Sequence, residues 1–450
     1  MMLRELYRLA WPVLVAQLAV MANGVADTMM AGRLSAEDLA AVGVGASVYI
    51  TVFVTAMGVL LALSPVVAHH YGAGRREEIG ADIRQAAWLA MFLAVAVVLL
   101  LRFPDPFLAL SRLRPDVDAK VRDYLDAVSW SAAPMLMFRV FYGFSSGIGQ
   151  PRPVMLLNLL GLLLKVPLNA VLMFGLLGAP RLGGPGCAVA SAITGWLVFL
   201  AALWWCRRNP EYAPYGLFAR FEAPSWMAMK PLVSLGLPIG ATFLVDVTAF
   251  TFMALFVARL GPEVSGAHQI ASNLAALAFM LPMALGNATG VLAGHALGAG
   301  DRPRARQAAL AGLGVGFAMA LVAAAAIALF SRQIVALYTP DATVGAIAGS
   351  LLLWVALYHV FDGVQAVAVN VLRGYKKATV PMVIYAVSLW GIGLGGGYVL
   401  GLTDLAGPAR GAVGYWQAAG ASLAMAGVLV TLYLLRISAY PSPAPARTTA

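Results

Sequence analysis

Three acids in this 450-residue chain lie where an acid is costly. Asp27, Asp246 and Asp362 each fall inside a long apolar stretch, and so do two bases, Arg139 and Lys165. An aspartate at the centre of a membrane-crossing helix costs roughly 2.5–3.5 kcal/mol on translocon scales. Residues kept at that cost usually face a cavity or mark the path of an ion or substrate. The chemistry open to them is charge exchange. Withdrawal from water makes a carboxylate take up a proton more readily, so a proton, a metal cation and an organic cation can compete for the same negative charge. Lys165, midway along Leu164-Lys165-Val166-Pro167-Leu168-Asn169, is placed to neutralise Asp27. Asp246 and Asp362 then remain without a buried base, and they are expected to form a proton or sodium site. Thr242 stands one turn before Asp246. Tyr358 and His359 precede Asp362, and His359 shares its helix face at the i, i+3 spacing. Arg139 is near enough to the end of its stretch to snorkel out.

The elements that position these residues must be membrane helices. The chain is 61% hydrophobic, 11% charged and has a mean hydropathy of +0.83, whereas soluble domains carry about 25% charged residues. Apolar runs are expected to span at 7–31, 40–68, 83–101, 122–147, 153–176, 184–206, 231–258, 266–294, 305–330, 343–372, 378–401 and 411–436. The fold class is therefore all-α and polytopic, with twelve transmembrane helices in two six-helix bundles. The bundles cover 1–206 and 231–436. A polar linker at 207–230, with Pro210, Pro214 and Pro224, joins them, and a disordered tail is expected over 437–450.

The division into two comes from an internal repeat. Residues 4–74 recur 226 positions later: Pro12 pairs with Pro238, Arg33-Leu34 with Arg259-Leu260, His69 with His295, and Gly72-Ala73-Gly74 with Gly298-Ala299-Gly300. Gly147 then aligns with Gly374. Duplicated membrane halves are the usual plan of secondary transporters, with the substrate site between them. The buried charges are not repeated, since Asp27 aligns with Met253 and Asp246 with Val20.

The net charge of +10 is a topological signature rather than a nucleic-acid footprint. With the N-terminus inside, the inner segments hold 18 Lys/Arg against 10 outside, which places both termini in the cytoplasm by the positive-inside rule. The match of Gly391, Gly393 and Gly396 to G-x-G-x-x-G lies within an apolar span, without the strand and acidic partner that a nucleotide fold needs. His69 and His295 adjoin Gly-Ala-Gly loops and are expected to be structural. Cys187 and Cys206, at opposite ends of one span, are not expected to pair.

Three segments resemble a known family. Val25-Ala26-Asp27-Thr28-Met29-Met30-Ala31-Gly32-Arg33-Leu34, Gly236-Leu237-Pro238 with Asp246-Val247-Thr248, and Asp362-Gly363-Val364-Gln365 leading to Leu372-Arg373-Gly374-Tyr375-Lys376 look like the first, seventh and tenth helices of multidrug and toxic compound extrusion (MATE) transporters of the NorM-like branch. The resemblance covers residues 4–436. It implies two bundles around a V-shaped cavity and export of amphipathic, often cationic compounds in exchange for sodium or protons. Asp27 would be the N-lobe coupling acid and Asp362 the C-lobe carboxylate. Asp246 stands where the branch usually has Glu, and Lys165 where Asn is common.

The combined expectation is a cation-coupled multidrug antiporter, not an enzyme. Asp27, Asp246 and Asp362 would couple the ion, while Lys165, Asn169, Thr242, Tyr358, His359 and Gln365 would line the cavity or tune its charge. The expected coupling ion is H+ or Na+, with no further cofactor and no metal beyond sodium. Expected partners are small drugs or toxic organic cations and the lipid bilayer, with no nucleic acid. A monomer in the inner membrane of a bacterium is expected. Alternative readings are a lipid or lipid-linked oligosaccharide flippase and an intramembrane enzyme.

Overall fold

The computed structural model describes residues 2–108 and 114–439, apart from the side chain of Phe107. The described chain is almost wholly helical. Helices α1 (Met2–Leu34), α2 (Ala36–Leu60), α3 (Leu63–Gly72), α4 (Arg76–Arg102), α5 (Asp105–Leu108), α6 (Pro115–Ser129), α7 (Ala132–Gly147), α8 (Arg152–Phe174) and α9 (Gly186–Arg208) form the first half. The second half holds α10 (Trp226–Ala258), α11 (Pro262–Gly298), α12 (Arg302–Leu329), α13 (Ser331–Tyr338), α14 (Ala342–Gly374), α15 (Thr379–Ala386), α16 (Gly397–Leu402) and α17 (Ala412–Ala439). Because α17 runs to Ala439, residues 437–439 of the expected tail are helical. The rest of that tail lies outside the described residues.

Among the described residues, eleven helical segments are long and apolar enough to cross a membrane. The expected fourth span, 122–147, differs from the others. It is built from α6 and α7, which meet at Trp130 and Ser131. The cause is in the sequence of α6, whose fifteen residues carry six charges. A second irregularity is the π-helical stretch Val387–Gly396, which falls on the glycine-rich run between α15 and α16. There Gly393 lies against Ser422 and Gly397 against Tyr415.

The repeat is reproduced in backbone detail. After α3 the amide of Gly74 donates to Tyr71 at 3.1 Å and that of Arg75 to His70 at 2.9 Å; after α11 Gly300 donates to Leu297 at 3.1 Å and Asp301 to Ala296 at 2.8 Å. Gly74 and Gly300 take left-handed φ values of 71° and 79°, which glycine adopts without a Cβ penalty. Helix crossings repeat too. A Cβ on Gly147 would come 3.0 Å from the Ser64 carbonyl, and one on Gly374 would come 2.5 Å from that of Gly290, the repeat partner of Ser64. Small residues let helices approach closely where no hydrophobic drive separates protein from lipid.

Contacts divide the chain into two compact units, Arg8–Thr248 and Met1–Tyr7 with Ala249–Ala450. The boundary thus falls inside α1 and α10 rather than in 207–230. The start of α10 packs on α2, where a Cβ on Gly236 would meet the Val59 carbonyl at 2.2 Å and one on Gly240 the Thr55 carbonyl at 2.7 Å. Its end belongs to the second unit, with Phe256 edge-on to Tyr398 at 5.4 Å. Leu6 likewise joins the second unit's core with Leu285, Val367, Val371 and Leu434. In that unit α14 is the central helix, packed by α11, α12 and α17.

The segment after α9 is docked on the first unit. Arg84 donates to the carbonyl of Gly216 and to Glu222, both at 2.7 Å. Gln85 donates to Ala223 and accepts from the amide of Ser225, and the Trp88 indole donates to Glu222 at 2.9 Å. Tyr212 is buried against Phe144, with centroids 4.9 Å apart, and shares a hydrogen bond with Ser145 at 3.2 Å.

Candidate functional site

In the first unit Asp27, only 8% exposed, receives two hydrogen bonds. Lys165 Nζ donates to one carboxylate oxygen and Asn169 Nδ2 to the other, each at 2.7 Å. Lys165 and Asn169 stand four residues apart on α8, which puts them on one face. The expected neutralisation of Asp27 by Lys165 is thus a direct ion pair, with an amide as second donor. Short charge-assisted bonds are about twice as strong as neutral ones, and removing one partner of a buried pair costs about 3–5 kcal/mol because the other charge is stranded. Arg139 sits elsewhere in this unit, half-buried, its guanidinium 5.7 Å from the centre of the Tyr142 ring.

Asp246 is half-buried on the part of α10 that belongs to the first unit. Thr242 does not reach it as a donor: its hydroxyl proton goes to the Pro238 carbonyl of its own helix at 2.9 Å.

The second unit holds the other expected residues on α14. Tyr358, His359, Asp362 and Gln365 are all buried, Asp362 to 3% exposure. They lie at i, i+1, i+4 and i+7, spacings that gather Tyr358, Asp362 and Gln365 on one face. His359 Nδ1 is 3.8 Å from Asp362 Oδ2, beyond hydrogen-bond range and an ion pair only with the ring protonated. The helix is held closely. A Cβ on Gly363 would come 2.7 Å from that of Ala320, and one on Gly427 would sit 3.3 Å from the Phe361 carbonyl. Tyr358 is wedged edge-on between Trp416 at 5.6 Å and Phe250 at 6.5 Å, and Trp416 meets His268 at 5.9 Å.

Sequence reasoning passed over His268, Trp416 and Phe250. The signal for His268 was present, since a buried imidazole inside the apolar span 266–294 is itself unusual. The two rings had no such signal, because aromatic residues are common throughout these helices. Asp246 and Asp362 fall in different units. Among the described residues no group of three or more His, Cys, Asp or Glu could hold a metal ion. Cys187 and Cys206 are both free thiols.

A helical membrane chain with two compact, repeat-related units and carboxylates buried in its spans has the architecture of a secondary transporter. The MatE family model matches residues 12–171 and 238–399. The chain is 40% identical over 439 residues to the probable multidrug resistance protein NorM of Aromatoleum aromaticum, covering 96% of this chain and 94% of that one. It is 39% identical to the multidrug resistance protein PmpM of Pseudomonas aeruginosa, covering 96% and 91%. Its fold matches a multidrug resistance MATE family transporter of the MOP superfamily, solved in an outward-facing conformation, with a TM-score of 0.87 and 21% identity over 97% of this chain and 96% of that one. The chain belongs to the MatE family and is a multi-pass membrane protein.

Proposed function

We propose that this protein exports drugs or toxic organic cations in exchange for protons or sodium, by alternating exposure of the binding site. The observation that carries this reading is the contrast between the buried acids. Asp27 is hydrogen-bonded by an ammonium at 2.7 Å, whereas Asp362 has a titratable imidazole at 3.8 Å. A carboxylate bound to a fixed cation has little reason to exchange one. A carboxylate beside an imidazole, with Tyr358 and Gln365 on the same helix face, keeps a charge that an incoming proton or cation can meet. Asp362 is the principal coupling acid in this reading and Asp246 a second one. Tyr358 and Gln365 orient what binds, and Asp27, Lys165 and Asn169 form a locked pair that tunes charge. The names of the NorM and PmpM relatives support multidrug compounds as cargo. The positive-inside count supports cytoplasmic termini, and we take the monomer in a bacterial inner membrane as the working unit, with no cofactor beyond the coupling ion. The flippase alternative needs a basic cavity for phosphate; of its two candidates, Lys165 is committed to Asp27 and Arg139 lies against the Tyr142 ring. The MatE family is not an enzyme family, which argues against the intramembrane-enzyme reading.

The test is uptake of a fluorescent organic cation into inverted vesicles, with pH and sodium gradients imposed separately. One gradient is expected to drive transport, and Asp362→Asn to abolish that response. Unchanged gradient dependence in both Asp362→Asn and Asp246→Asn would overturn the assignment.

A further inference from the structure

We propose that the segment between α9 and α10 is a binding site for the headgroup of an anionic phospholipid. Helix α9 ends on Cys206-Arg207-Arg208, after which the chain turns at Asn209 and Pro210. Tyr212 plugs it into the first unit, and Gly216, in the left-handed region with φ 56°, turns it back. The return brings Phe218 against Arg207, whose guanidinium lies 5.0 Å from the ring centre. These walls enclose a groove of about 390 Å³, lined by Arg207, Arg208, Asn209, Tyr212, Leu217 and Phe218 among others, and by no carboxylate. Pockets of roughly 300–1,000 Å³ suit small ligands.

Charge selects the occupant. The two acids of the segment are engaged elsewhere: Glu211 accepts from Gln150 at 2.8 Å, and Glu222 accepts from Arg84 at 2.7 Å and Arg220 at 2.6 Å. Arg207 and Arg208 line the groove and no carboxylate does, so its wall is positively charged. Guanidinium is the side chain best matched to a phosphate, through its planar fork of donors. Stacking on Phe218 restricts the Arg207 fork before any ligand arrives.

Surroundings select a lipid over a free anion. Phe218 in the groove wall is 49% exposed, and further along the segment Phe221 is 84% and Trp226, the first residue of α10, 64% exposed. The segment joins the ends of two membrane-crossing helices, α9 and α10, so these rings lie at the depth of the headgroups, where aromatic side chains are stabilised. Basic residues immediately beside a membrane helix are attracted to anionic lipid. Because Arg84, Gln85 and Trp88 fasten the segment to α4, the site is preformed.

Native mass spectrometry of the full-length protein in detergent tests this, with phosphatidylglycerol and phosphatidylcholine in competition. Wild type is expected to retain phosphatidylglycerol in roughly thirtyfold preference, as two basic contacts of the usual strength would give. The double variant Arg207→Gln/Arg208→Gln is expected to lose that preference. Arg207→Lys/Arg208→Lys, which keeps the charge and loses the fork, should fall between. Arg332→Gln, which removes one positive charge at an exposed position of α13, should leave it intact. An undiminished preference in the glutamine pair overturns the proposal, and so does displacement of the lipid by inorganic phosphate at matched concentration. The readout is lipid retention, so it stands or falls apart from whether the protein exports cations.

Discussion

Asp27 and Asp362 are buried to similar degrees, 8% and 3% exposed, yet they are stabilised by different means. In the first unit an ammonium and an amide on α8 close the carboxylate's hydrogen bonds. In the second unit the acid shares its helix with a tyrosine, a histidine and a glutamine, and the histidine's imidazole lies 3.8 Å away. The difference separates structure from exchange. A permanent internal cation makes a carboxylate part of the packing, while a titratable neighbour leaves its charge open to exchange with what enters. Units built on one repeated backbone thus differ in what their buried acids can do.

The largest effect expected from breaking this contrast is the loss of gradient-driven transport to background in Asp362→Asn, with the protein still folded. Asp27→Asn should not reproduce that loss in transport per folded molecule, and equal losses would mean both acids couple. Next in size, Lys165→Met should destabilise the protein by about 3–5 kcal/mol, since it strands the Asp27 charge. Thermal unfolding in detergent would show it, and Asp27→Asn/Lys165→Met should regain most of the loss. A double variant as unstable as the single one would mean that packing at α8, not charge, is at stake. His359→Gln should retain transport but change its pH profile, because it removes a titrating group beside Asp362. A profile identical to wild type would remove the imidazole from the coupling step.

The smallest effect is expected at the docked segment. The Arg84 guanidinium holds the Glu222 carboxyl below its ordinary value of 4.5. A lowered folded value means the stabilisation is present above about pH 4.5 and is lost as pH falls through that lower value. Hydrogen exchange over 209–225 should therefore be faster in Glu222→Gln than in wild type at neutral pH, with the two converging in acid. No difference at neutral pH would show that Gln85 and Trp88 suffice to hold the segment.

Much of this was legible in the residues. Charge in an apolar run is conspicuous, so Asp27, Asp246, Asp362 and Lys165 stood out, and balancing charges within a half suggested the Asp27–Lys165 pair. Asn169 as the second donor follows from its spacing on α8 once Lys165 is placed. The break at Trp130 was missed because hydropathy averaged over 122–147 hides the charged residues Arg122, Asp123 and Asp126 in the second half of α6. The segment 207–230 read as a linker from its prolines, but its fixation depends on Arg84, Gln85 and Trp88, more than a hundred positions earlier in the chain.

By itself the sequence determined the membrane helices, the duplication and the short roll of charges that a bilayer makes expensive, because burial cost and periodicity are local properties that can be counted. Only the tertiary structure decided which of those charges are paired, that Tyr358 is gripped by Trp416 and Phe250, and that the boundary between units runs through α1 and α10. Those outcomes depend on which helix faces meet, and that is set by glycine-sized clearances between segments far apart in the chain.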